Sequence, residues 1–118
     1  MAWARIESEP EGLLLEVRAL STWAERLRGL LGTDRNAPPA LLLRCGSVHT
    51  IGMRYPLDIA FVGERGQVLK ICRSVPPGSL RSCKGAYATL ERPASHEPWP
   101  REGESLWVSA VSAEMSLC

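Results

Sequence analysis

Residues 57–73 read L-D-I-A-F-V-G-E-R-G-Q-V-L-K-I-C-R. Residues 59–62 form a short apolar run, and with that run bounded by turn residues, 57–62 read as a strand. Gly63, Glu64, Arg65 and Gly66 make the turn, with glycines able to take positive φ. Residues 67–73 then return. This is the clearest β-hairpin in the chain, and it sets the expectation for the whole: short strands joined by tight turns.

Working outward from the hairpin, more strands follow. Upstream, residues 40–45 (A-L-L-L-R-C) read as a short strand buried on both faces. Residues 13–20 (L-L-L-E-V-R-A-L) read as the first strand of the fold, with Leu15, Val17 and Ala19 alternating against Glu16 and Arg18. Between these two lies one helix. Thr22 and Glu25 have the spacing of a capping box. Trp23, Leu27, Leu30 and Leu31 make one apolar stripe, and Gly32 is a natural stop. Downstream, residues 85–91 and 105–111 read as strands. Residues 33–39, 74–82 and 92–103 carry Pro, Gly, Asn and Asp and read as loops.

Six or seven strands and a single N-terminal helix predict a mainly β fold, a small antiparallel β-barrel or sandwich. The order does not alternate as βαβ units do, so a parallel sheet is not expected. At 118 residues the chain is read as one domain, 1–118, with its core at about 13–111 and with residues 1–10 and 112–118 flexible.

Composition narrows the function classes. The chain is 45% hydrophobic and 23% charged, with a net charge of +1. That balance offers no basic surplus for nucleic acid. No apolar run is long enough to span a bilayer. Residues 1–10 are polar and acidic and lack a signal-peptide core, so the expectation is a soluble, cytoplasmic protein. Cys45, Cys72, Cys83 and Cys118 form no C-x-x-C pair, and a leaderless chain favours free thiols, although a Cys45–Cys83 bridge stays open.

Residues 47–58, S-V-H-T-I-G-M-R-Y-P-L-D, concentrate the chemistry. They resemble the central motif of the family called domain of unknown function 192, typically M-[RK]-x-x-P-[LI]-D-x-x-F. Met53, Arg54, Pro56, Leu57, Asp58 and Phe61 match in order. Ala24 to Arg26 and Gly29 to Gly32 resemble the family's helix, and the strand ending at Glu91 resembles its V-L-E-L strand. The resemblance implies a small β-rich domain with a polar cluster near the motif, often in exported or envelope-associated proteins. After Glu91 the sequence departs from the pattern, with residues 92–100 standing where a short Gly-containing turn is usual.

The residues themselves allow three functional readings. A polar cluster of Arg26, His49, Thr50, Met53, Arg54, Asp58 and Glu91 at one end of the fold would hold a small ligand or a protein partner, with no catalysis and no cofactor. Alternatively, His49 and Asp58 would act as an acid–base pair in a hydrolase-like enzyme. As a third reading, His49 and Met53 would hold a soft metal such as copper, with Cys45 or Cys83 as a third ligand. Asp58 has a structural alternative, a buried ion pair with Arg26 or Arg54. Trp99, between Pro98 and Pro100, reads either as an exposed partner contact or as a lid folded over one end.

Overall fold

A computed structural model of the chain describes residues 2–9 and 12–113 (backbone only at 23, 27, 112 and 113). Nine strands and one helix follow in the order β1 (Ala2–Glu9), β2 (Leu14–Leu20), α1 (Trp23–Arg28), β3 (Ala40–Leu43), β4 (Ser47–His49), β5 (Leu57–Gly63), β6 (Val68–Val75), β7 (Leu80–Ser82), β8 (Ala86–Pro93) and β9 (Ser105–Ala113). Seven of them form one sheet in the order β6-β5-β8-β3-β2-β1-β9, and β4 pairs with β7 in a second, two-stranded sheet.

Three features differ from the expectation. First, Ala2–Glu9 is a strand preceding the one read as first. Its period of two is plain once placed: Ala4, Ile6 and Ser8 are buried, while Arg5 and Glu9 are exposed. Second, β2 and β3 run parallel. Residues 21–39, carrying α1, make the long crossover that a parallel pair needs. The other strand pairs are antiparallel.

Third, the large sheet is not closed into a barrel. Its edge strands β6 and β9 meet through one isolated bridge, Gln67 to Ser105, rather than a ladder. Beside the bridge, the Leu106 amide donates to the Gly66 carbonyl at 2.7 Å. A Cβ on Gly66 would stand 2.2 Å from that Leu106 carbonyl oxygen, and φ there is +87°, so this approach needs glycine. The arrangement is sandwich-like.

Both faces of the large sheet are covered. One face buries Leu20, Leu30, Ala40, Leu42, Val48, Leu57, Ile59, Phe61 and Val75. The other buries Ala4, Ile6, Val17, Leu41, Ala60, Ala88, Leu90 and Trp99. Burial on two sides explains why residues 59–62 of β5 read as a continuous apolar run rather than an alternating one.

The helix is shorter than its stripe suggests. The Thr22 hydroxyl accepts from the Glu25 amide at 3.1 Å, and the Glu25 carboxylate accepts from the Thr22 amide at 3.1 Å, so the expected capping box is present. The helix ends at Arg28, and Gly29, not Gly32, is the C-terminal cap, with φ at +51°. The side chains of Trp23 and Leu27 lie outside what the structure describes. Cys45, Cys72 and Cys83 are free thiols, so no Cys45–Cys83 bridge exists. Cys118 lies outside the described residues.

Candidate functional site

Where α1 and the small sheet cover the large one, they leave a cavity of about 220 Å³. The helix and the turn after it contribute Arg26, Arg28, Gly29, Leu30 and Leu31. β3 contributes Leu42, β5 Leu57 and β8 Glu91; Cys45, Val48, His49, Ile51 and Met53 complete the wall with Ser47.

Glu91 decides the character of this cavity. It sits on β8 between Ala40 of β3 and Ile59 of β5, both fully buried. Its own exposure is 3%. Burial among these apolar neighbours pushes its carboxyl up to about 7, only partly opposed by a hydrogen bond from the Leu30 amide. Among the described residues, no ion pair reaches it. Gly29 makes room for it: a Cβ there would lie 2.6 Å from Glu91 Oε1.

The arginines of α1 line the same cavity but are held elsewhere. Arg26 Nη1 donates to the carbonyls of Arg44 at 2.9 Å and Leu43 at 3.3 Å, tying the helix to the end of β3. Arg28 Nε donates to the Leu31 carbonyl at 3.4 Å. His49, exposed on β4, and half-buried Met53 stand at the wall.

Thus Arg26, His49, Met53 and Glu91 come together as expected from the sequence, and Thr50, Arg54 and Asp58 do not join them. Thr50 is buried and structural: its hydroxyl donates to the Pro76 carbonyl at 2.7 Å and accepts from the Ser79 amide at 2.8 Å. Arg54 is exposed and lies outside the cavity wall.

Asp58 points to the other face of the sheet. Successive strand side chains alternate, so with Leu57 facing the cavity Asp58 must turn away. Its Oδ2 accepts from Arg92 Nε at 2.9 Å and from the Ser95 amide at 3.2 Å. Its Oδ1 accepts from the Ser74 amide at 3.0 Å and pairs with Arg73 at 3.1 Å. Burial pushes this carboxyl up, but the two amides and the two arginines together outweigh it and hold it below the usual carboxylate range. The His49–Asp58 acid–base pair therefore has no geometric basis. The ion-pair alternative is right in kind, but its partners are Arg92 and Arg73, not Arg26 or Arg54.

Arg92 is the residue the sequence reading missed. It is Asp58's direct partner in the β5–β8 register. Its guanidinium also donates to the carbonyls of Pro98 at 2.9 Å and Glu97 at 2.7 Å, and it stacks 4.4 Å from the Trp99 ring. Trp99 is consequently buried, at 6% exposure, and is not a protruding contact. It covers the second core, which is the lid alternative in outline. As for the soft-metal reading, Cys45, His49 and Met53 do line one cavity. Among the described residues, however, no three His, Cys, Asp or Glu side chains stand together as a metal group.

The fold and the site define a class: a small mixed-sheet domain with a mostly apolar cavity lined by one buried carboxyl. The model of the family called domain of unknown function 192, described as "Uncharacterized ACR", matches residues 4–96, and the chain belongs to that family. The match ends inside the loop that carries Trp99. No curated protein matches the sequence.

Two solved structures share the fold. One is a protein of unknown function from Novosphingobium aromaticivorans DSM 12444, 20% identical, with a TM-score of 0.72 over 89% of this chain and 83% of that one. The other is a candidate transcription regulator from Sinorhizobium meliloti 1021, 19% identical, with a TM-score of 0.72 over 92% of this chain and 95% of that one. At these identities the likeness is one of fold.

Proposed function

We propose that the protein is a binding module whose small ligand occupies the cavity between α1, β4 and the large sheet. One observation carries this reading: Glu91, a deeply buried carboxyl, lines an open cavity and has no cation among the described residues to pair with. A buried charge of that kind is normally paired or removed. The surrounding Leu30, Leu42, Val48, Leu57 and Met53 give the apolar wall typical of a ligand site, with one polar group to fix orientation.

Asp58 supplies the contrast. Its carboxyl is as deeply buried but is fully engaged by arginines and amides, which marks it as part of the fold. Residues 94–104 and Trp99 belong with it on the far face.

A fragment screen on ¹⁵N-labelled protein tests the proposal. Ligands should move the amide signals of Leu30, Leu42, Val48, Met53 and Glu91 as a group. Hits that instead cluster on residues 94–104, or scatter over the surface, would move the site elsewhere. No helix among the described residues is long and apolar enough to cross a membrane.

A further inference from the structure

The wall of the cavity specifies more than its size. Glu91 receives one hydrogen bond, from the Leu30 amide, and stands in the sheet between Ala40 and Ile59. The charged and titratable groups facing the cavity are few. α1 brings Arg26 and Arg28, both turned onto backbone carbonyls. His49 comes from β4 and Cys45 from the segment before it, while β3 and β5 bring only Leu42 and Leu57. Among the described residues, Glu91 takes part in no ion pair.

We infer that the cavity takes a small molecule bearing a primary ammonium group on a short apolar stem, the ammonium pairing with Glu91 and the stem lying against Leu30, Leu42, Leu57 and Met53. This rests on the reading that the cavity is the ligand site. An ammonium is compact and donates up to three hydrogen bonds, so it can pair with a carboxylate at a cavity wall. The pairing is made in a low-dielectric pocket, where charge-assisted hydrogen bonds are strong.

Binding of this kind is linked to a proton. The free protein holds Glu91 neutral below about 7, whereas the ammonium needs it ionised. The ionised fraction rises from about a tenth at pH 6 to about nine-tenths at pH 8, so affinity for the amine should rise about tenfold across that interval. A neutral ligand that accepts a hydrogen bond from protonated Glu91 would show the opposite trend.

The experiment titrates n-butylamine and n-butanol into ¹⁵N-labelled protein at pH 6 and pH 8, following the amides of Leu30, Leu42, Val48 and Met53. The amine should bind in preference to the alcohol and about tenfold more tightly at pH 8. The trend should vanish in Glu91→Gln. If butanol shifts these amides as effectively as butylamine, or if the amine binds no better at pH 8, the ammonium assignment is overturned while the cavity remains a ligand site. If neither compound perturbs the cavity, while unrelated fragments do, the assignment fails alone. If nothing perturbs it, both readings fall together.

Discussion

Replacing Glu91 with Gln should reverse the usual cost of a core substitution as the pH rises. Gln keeps the shape and can still accept from the Leu30 amide, but it cannot ionise. Glu91's folded value is raised to about 7 from an ordinary 4.5, so between those values the folded chain holds a proton that the unfolded chain has released. Stability then falls with rising pH through that window and is level above it. At 1.36 kcal/mol for each unit, the full loss is about 3 kcal/mol, of which about 2.5 kcal/mol falls between pH 5 and pH 8. Urea unfolding of wild type and Glu91→Gln at both pH values isolates this contribution, because every other titrating group is common to both proteins. The variant should gain about 2.5 kcal/mol on wild type over the interval. A difference that stays constant, or that grows in favour of wild type, would refute the reasoning.

Asp58 should behave in the opposite sense. Asp58→Asn leaves Arg92 buried without its counter-charge and should cost about 3–5 kcal/mol near neutral pH, with half-exposed Arg73 adding little. Asp58's folded value is lowered, so wild type's advantage over the variant should shrink as the pH falls through that value, which urea midpoints at descending pH would show. Gly29→Ala places a Cβ 2.6 Å from Glu91 Oε1 at a φ of +51°, so it should destabilise by more than ~1 kcal/mol and displace Glu91's carboxyl resonance. Gly66→Ala meets the Leu106 carbonyl at 2.2 Å and should also cost more than ~1 kcal/mol, with faster hydrogen exchange of the Leu106 amide. Unchanged midpoints in either alanine variant would show that the close approach is absent in solution.

The hairpin at residues 57–73 was legible because both signals it needs are local: an apolar run and a glycine-bounded turn. β2, β3, β8 and β9 were legible for the same reason, as was the Thr22–Glu25 capping box. β1 was hidden by its charged outward positions, which make residues 1–10 look merely polar. β4 and β7, three residues each, are too short to show a period. The parallel β2–β3 pair depends on where a long crossover lands, and no local signal reports that.

The site divides in the same way. Arg26, His49, Met53 and Glu91 line one cavity, and polar residues near strand ends and one central motif had pointed to them. Asp58 was grouped with them by its nearness in sequence, although strand alternation already places it opposite Leu57. Its true partner, Arg92, stands across the β5–β8 ladder, and pairing register is a tertiary fact. Trp99 looked exposed because prolines flank it; the Arg92 guanidinium beneath it turns that loop into a cover.

The most direct test of the central claim is the titration of Glu91 itself, followed through its side-chain carboxyl carbon by ¹³C NMR in the ligand-free protein. The account predicts a midpoint of about 7, as expected of a buried carboxyl at a cavity wall that forms no ion pair among the described residues. A midpoint in the ordinary carboxylate range would mean that Glu91 already has a partner or meets bulk water. It would remove the observation on which the ligand site rests.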